Sequence, residues 1–299
     1  VRAEKANTPL TVSESEGRVI VAFQNGSLRF NYKTGEMESY IYHSKELLNQ
    51  IPLGNERGFQ PSLYRAPLDN DMYLKYVWHK EGLNHISWIK KKCAYEQTGD
   101  TVVISAVYRL KTCSYRNAGT FKVKYTINAL GRIAVDYSYK NLVFKLVPRL
   151  GMLVEMPKTY SNITYFGCDA ESLSDFKEHA VIRRVTTNVD AMHTPYIKPQ
   201  ESGMRYNTFY AQVTDENGTG FRFESETPFV FNANPYNAEQ ISKATHKEDL
   251  LKYDTTNVQI DGYMLGAGSN ACGPIPTKAH RKVMVRSYSH SFVVTPLGD

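Results

Sequence analysis

The sequence predicts an all-β fold, one large antiparallel β-sandwich with one or two short helices. Three observations carry this reading. Apolar and polar residues alternate with period two over many short stretches, the pattern of strands with one packed and one wet face. The aromatic content is weighted to 21 Tyr and 13 Phe against 2 Trp, and such rings suit a half-buried pleated surface. Only two stretches have a helical pattern, and they do not alternate with strands as a parallel βαβ core requires.

The clearest strand sets Phe121, Val123, Tyr125 and Ile127 on one face, with Lys122, Lys124 and Thr126 between them. After Ala129-Leu130-Gly131 its partner carries Ile133, Val135, Tyr137 and Tyr139, so the two read as a hairpin. Further strands are expected at 18–23, 28–32, 38–42, 101–109, 150–156, 209–213, 220–224, 229–232, 258–263, 282–286 and 291–295. Asn25-Gly26 and Asn217-Gly218 supply tight turns. Asn237 caps a helix over 238–247, with Gln240 completing a capping box, and 74–83 is the second helical stretch. No internal repeat, low-complexity tract or linker divides the chain. Residues 1–16 therefore read as an approach segment from a preceding domain, and 17–299 as a single β-sandwich domain.

With 299 residues, 41% of them hydrophobic, the chain has the material for a substantial core. It contains no apolar run long enough to span a membrane as a helix. The net charge of +6 comes from Lys and Arg spread along the chain among 30 acidic residues. Lys90-Lys91-Lys92 and Arg183-Arg184 read as solvated edges, so no nucleic-acid partner is expected. Cys93, Cys113, Cys168 and Cys272 are too scattered for a zinc site or a disulfide framework and read as free thiols. No cofactor is implied. The chain opens on Val1 without an initiator Met or a signal-peptide pattern, and reads as a piece of a larger protein.

Asp69-Asn70-Asp71 sets two carboxylates around an amide, a composition that also occurs in cation loops. The calcium-loop spacing is missing, and Asx residues after a proline suit a turn. The stronger expectation is a buried Arg65 forking onto one of these carboxylates, which satisfies both charges. The 8 His are isolated from one another, and His193 and His246 read as hydrogen-bonded structural residues. Gly266-Ala267-Gly268-Ser269-Asn270 reads as a loop between strands, since no helix follows as a phosphate loop requires. A Gly-x-Ser-x-Gly nucleophile motif is absent.

Several strings in order along nearly the whole chain resemble the C-terminal domain of the large bacterial β-galactosidases, in the family that groups them with β-glucuronidases and β-mannosidases. They are Tyr64-Arg65-Ala66-Pro67-Leu68-Asp69-Asn70-Asp71, then Thr194-Pro195-Tyr196-Ile197-Lys198-Pro199-Gln200-Glu201-Ser202-Gly203, then Pro235-Tyr236 with Ala244-Thr245-His246, and finally the run from Asp261-Gly262-Tyr263 to Cys272-Gly273-Pro274. The resemblance implies a galactose-mutarotase-like supersandwich, with Arg65, Asp69, Asn70, Asp71, Glu201 and His246 as structural motif residues. It places the catalytic glutamates on a TIM barrel upstream in the same parent chain. A retaining glycosidase needs two carboxyl groups about 5–5.5 Å apart, and no such pair is assigned in this chain.

The role the resemblance implies is therefore accessory: completing the active-site wall and the inter-domain packing of a hydrolase. The implied partners are the upstream barrel and, through the parent active site, a galactoside; a homo-oligomer is compatible with this reading. In the family a loop matching 266–274 leans over the barrel mouth and presents an aromatic residue to the sugar. The matching position here is Cys272, which has no flat apolar face for stacking, and Asn270 is left to hydrogen-bond a hydroxyl. A second departure lies at Tyr165–Phe176, where Glu171 and Asp175 persist but the family's second Gly, Pro, Tyr and terminal cation do not. Two other readings stand beside this one. The first is a stand-alone carbohydrate-binding module using an aromatic sheet face. The second is a mutarotase-like epimerase with His193 and Glu201, or His179 and Glu171, as its acid/base pair. Bacterial cytoplasm and periplasm are both open as compartments.

Overall fold

Asn25, at a left-handed φ of 64°, turns the second hairpin of a five-stranded antiparallel sheet in the computed structural model, which describes residues 6–50, 58–269 and 271–298. The strands are β1 (Thr11–Ser15), β2 (Arg18–Phe23), β3 (Gly26–Asn31), β4 (Glu36–Tyr42) and β5 (Lys45–Glu46), each beside the next. β1 lies within the stretch expected to be an approach segment, yet it pairs with β2 from Thr11↔Ala22 to Ser15↔Arg18. Its residues are almost all exposed, so it carries no apolar alternation by which a strand would show itself.

The larger sheet has twelve strands. In chain order its elements, with the helices between them, are β6 (Phe59–Ser62), α1 (Leu74–Glu81), β7 (Ser87–Thr98), β8 (Thr101–Lys111), β9 (Gly119–Asn128), β10 (Ile133–Lys140), β11 (Arg149–Pro157), β12 (Asn162–Cys168), β13 (Ile182–Asn188), α2 (Val189–Met192), β14 (Arg205–Thr214), β15 (Gly220–Asn234), α3 (Ala238–Lys243), β16 (Thr255–Met264) and β17 (Ser287–Leu297). The main path runs β13-β12-β14-β15-β17-β10-β9-β8-β7, and β16, β11 and β6 branch from β15. All pairings are antiparallel.

The predicted hairpin is β9–β10, in register Ile127↔Ile133, with its apolar residues buried and Lys122 and Lys124 exposed. Asn128 closes it by accepting the Leu130 and Arg132 N–H groups at 3.0 Å. The strands expected at 220–224 and 229–232 are the two ends of one strand, β15. Its first end pairs with β17 and its last with β16, and Pro228 falls in the bulge between them, where β14 skips from Thr208 to Tyr210. A proline is tolerated there because no ladder bond is required of its missing N–H. The strand expected at 282–286 is absent, because Met284 takes φ 51° and a lone Leu146↔Val283 bridge replaces it. The helix capped by Asn237 and Gln240 forms but ends at Lys243.

The five-stranded sheet lays Val19, Val21, Leu28, Phe30 and Tyr40 against the larger sheet, where Phe30 meets Tyr125 and Tyr40 meets Phe221 edge-on at 4.9 Å. Each fully buried aromatic side chain contributes about 1.5–3 kcal/mol. The tyrosine surplus has a specific use here. Tyr40, Tyr108, Tyr137, Tyr139 and Tyr160 bury their rings and donate their hydroxyls to the carbonyls of Gly131, Gly35, Leu150, Gly151 and Glu46. Each tie satisfies a polar group that the packed layers would otherwise strand.

Candidate functional site

Arg65, Asn70, Asp71 and Glu201, singled out by motif, come together where the chain leaves β6. Arg65 follows that strand in an extended stretch, and Asp69–Asp71 form a single 3-10 turn immediately beyond. The guanidinium forks onto Asp71, with Nη2 at 2.9 Å and 3.0 Å from the two carboxylate oxygens and Nε at 3.2 Å; neither side chain has any exposure. The sequence left the choice between Asp69 and Asp71 open, and the structure selects Asp71. Burial raises the Asp71 carboxyl pKa, while Arg65 and the Leu68 N–H work against that rise. The rest of the Arg65 fork donates to the Leu265 carbonyl at 2.5 Å and the Gly266 carbonyl at 3.3 Å. Arg65 thus joins the first motif to the last, 200 residues away.

Beside it lies a second buried cluster. Arg149, the first residue of β11, donates to Glu201 at 2.8 Å and stands 3.1 Å from Asp261 of β16. Glu201 uses its other oxygen to accept the Ala66 N–H at 3.0 Å, so it fastens the 194–203 string to the 64–71 string. Asp261 occupies space left by Gly151, where a β-carbon would come within 1.9 Å of its Oδ1. Two carboxylates share one guanidinium, and burial pushes the Asp261 pKa up to about 7 against the pull of Arg149, with Glu201 adding to the rise.

The glycine-rich loop is held at its base. Asp175 accepts the Ala267 and Gly268 N–H groups at 3.0 Å and 2.6 Å, and Asn70 donates to the Gly268 carbonyl at 2.6 Å. Ser269 and Cys272 close the turn, the Cys272 N–H reaching the Ser269 carbonyl at 3.0 Å. Cys272 is an exposed free thiol at the loop's outer end. Asn270 lies outside the described residues. Glu171 does for the 194–203 string what Asp175 does for the loop, accepting from Thr194 Oγ1 at 2.8 Å and from the Gly203 N–H at 3.0 Å. Glu171 and Asp175, four residues apart, thus hold the 194–203 string and the glycine-rich loop in place.

Asp69 pairs with Gln200 on the outer side, its N–H donating at 3.0 Å and its carboxylate accepting at 3.1 Å. His246 stands apart from the buried clusters. It sits in an exposed turn where Asp249 accepts its N–H at 2.9 Å, and the turn is tied to the 194–203 string by the bond from Lys247 N–H to Ile197 carbonyl. Around this end Met72, Tyr73, Tyr76, Tyr196 and Ile197 present apolar surface to solvent, Ile197 at 82%.

The acid/base pairs considered from sequence do not form. His193 bonds Ser202 Oγ and Asn234 Nδ2 through its Nδ1, while both Glu201 oxygens serve Arg149 and Ala66. Burial lowers the His193 pKa. His179 is exposed on a 3-10 turn and Glu171 is committed to Thr194, Gly203 and Tyr196. Among the described residues no group of His, Cys, Asp and Glu is arranged to hold a metal ion. Arg149 was not singled out from sequence; the available signal was a charged residue opening a largely apolar strand.

The beta galactosidase small chain family matches residues 23–294. The chain is 27% identical over 301 residues to a beta-galactosidase of Priestia megaterium and 28% identical over 297 residues to one of Streptococcus thermophilus, covering 98% and 97% of this chain. It spans 28% of the length of each of these relatives. A galactose 1-epimerase structure from Lactobacillus acidophilus superposes with a TM-score of 0.55 at 8% identity over 99% of this chain and all of that one. A GalM/aldose epimerase homologue from C. elegans gives 0.52 at 10% identity over 95% of this chain and 100% of its own. The sandwich is thus of the galactose-mutarotase-like type, and the chain belongs to the beta-galactosidase small chain family.

Proposed function

We propose that this chain is the C-terminal domain of a β-galactosidase-like glycoside hydrolase, completing the wall of an active site that lies on an upstream barrel and packing against that barrel, without catalysing on its own. The observation that carries the proposal is the clasped loop. Arg65, Asn70 and Asp175 fix the base of 266–274 with buried or partly buried hydrogen bonds while Cys272 stays outside. A loop fastened at its base with an exposed side chain at Cys272 is suited to present that side chain to something beyond the domain. The apolar residues around it, Met72, Tyr73, Tyr76 and Ile197, suit a covered inter-domain surface better than a solvated one. Chemistry on the sugar belongs to the barrel in this reading, since both buried carboxylate clusters here are committed to arginines. Cys272 replaces stacking with a smaller contact, so the sugar is held less by this wall than in relatives with an aromatic residue.

The test is to join the chain to its upstream segment and assay a chromogenic β-galactoside. Deleting the domain is expected to abolish activity, and supplying it separately to restore part of it. Full activity without the domain would overturn the proposal.

A further inference from the structure

A sheet face buried in a sandwich is ordinarily apolar, but one face of the β15–β16–β11–β6 branch is both buried and polar. Alternate residues share a face in a strand, and here Val258 and Ile260 turn to the core while Asn257, Gln259 and Asp261 turn the other way. Most of their cross-strand partners around the middle of the face are polar too, Asn234 and Glu155 opposite Asn257 and Asn232 opposite Gln259, with Leu153 opposite Gln259 and Val230 opposite Asp261 as apolar neighbours. Asn232, Asn234 and Asn257 are 2–5% exposed.

This face floors a cavity of about 180 Å³, walled by Arg149 and Glu201 and roofed by Ala238 and Ile241 of α3, with half-buried Trp88 and Tyr236 at its sides. The side-chain carbonyl oxygens of Asn257 and Gln259 have no hydrogen-bond partner. Asn257 spends its NH₂ on the Asn234 carbonyl at 3.2 Å, which leaves the oxygen as its open valence. The carbonyl oxygen of Asn232 is also unpartnered but lies against Gly203. Buried acceptors without donors carry a desolvation cost, which a donor-bearing occupant removes.

The chemistry of the walls selects that occupant. Amide oxygens take hydroxyl donors; Arg149 disfavours a cation, and Glu201 with the row of carbonyls disfavours an anion. Tyr64, Trp88 and Tyr236 add apolar ring surface of the kind that packs on C–H faces. At about 30 Å³ per water the volume corresponds to about six waters, below the range of about 300 Å³ and upward found for drug-sized ligands. We infer that this cavity is a binding site for one neutral monosaccharide unit, with Asn257 and Gln259 accepting from its hydroxyls. It lies within this chain and does not depend on an upstream barrel.

The test is titration of the 299-residue chain with D-galactose, D-glucose and myo-inositol, followed by calorimetry and by chemical shifts of the Asn257 and Gln259 amide groups. The expected result is saturable millimolar binding of at least one of these, weakened about tenfold or more by Gln259→Leu and abolished by Ala238→Trp, which fills the cavity from its roof. A denaturation midpoint for each variant shows whether it is folded, and Ala238→Trp carries the test if Gln259→Leu is not. Absence of saturable binding at 0.1 M-scale sugar, roughly what a Kd above 100 mM implies, would overturn the inference and leave an ordered water cluster. Binding that both folded variants retain would overturn it equally.

Discussion

Asp175 and Gly268 are 93 residues apart in sequence, and the Gly268 N–H donates to the Asp175 carboxylate at 2.6 Å. The Ala267 N–H reaches the other oxygen of the same carboxylate at 3.0 Å. Gly266 must lack a side chain for this to happen, since a β-carbon there would stand 2.8 Å from the carboxyl. One acidic side chain thus sets the position of the glycine-rich loop.

Replacing Asp175 with Ala removes two charge-assisted bonds, each worth about 1.5–3 kcal/mol. Hydrogen exchange at the Ala267 and Gly268 amides is expected to accelerate at least about tenfold, with the denaturation midpoint shifting much less because the loop opens locally. Unchanged exchange at both amides would show that the loop is held elsewhere.

Breaking the Arg65–Asp71 pair from one side leaves a buried charge without its partner. Arg65→Met is expected to destabilise the fold by about 3–5 kcal/mol in urea unfolding, and the double change Arg65→Met/Asp71→Leu to recover part of that loss. Equal losses in the single and double variants would contradict the reading of Asp71 as the stranded charge.

Asp261 makes the pH dependence informative. Its folded pKa of about 7 lies above the ordinary carboxyl value, so between the two the folded chain holds a proton that the unfolded chain has released. Its contribution is therefore full below about pH 4 and is lost as pH rises through about 7. Relative to Asp261→Asn, the unaltered chain is expected to lose stability by up to about 1.4 kcal/mol per pH unit across that window and to level off above it. A difference that stays flat from pH 5 to pH 8 would remove the raised pKa.

The exposed apolar end offers a test of domain packing. Ile197→Asp is expected to change the stability of this chain by less than about 0.5 kcal/mol, since the side chain is 82% exposed. The same change is expected to weaken association with the upstream segment in a pull-down or sedimentation measurement. Maleimide labelling adds a second readout: Cys272 and Cys113 are exposed and should react in the separate chain, and Cys272 alone should become protected on assembly.

In the whole protein as proposed above, Cys272→Trp places a flat ring on the 266–274 loop. KM for a chromogenic galactoside is expected to fall by about two- to tenfold, equivalent to about 0.5–1.5 kcal/mol of ring contact. An unchanged KM would place Cys272 away from the sugar.

What was legible in the sequence followed from local physics. Period-two alternation exposed β2, β9 and β10 because one face of each is packed and the other wet. β7 and β13 escaped because they are edge strands with most of their residues exposed, and β1 for the same reason. A pairing of Arg65 with a carboxylate of 69–71 was legible because a few residues of chain bring the two within reach, while the choice of Asp71 over Asp69 came with the fold. Asn237 and Gln240 were legible as a capping box for a similarly local reason.

By itself the sequence determined the sheet class, the main hairpin, the helix cap, the pairing of Arg65 with a nearby carboxylate and the family. The tertiary structure alone decided that Arg149 serves both Glu201 and Asp261, that Asp175 holds a loop across 93 residues, and that the amides of β15 and β16 line one buried cavity. Each of these depends on strand order and register, and the branch by which β16 and β11 leave β15 is set by the summed packing of the sandwich. No short stretch encodes that order, so residues that read as ordinary Asn, Asp and Arg become a site only when the layers close.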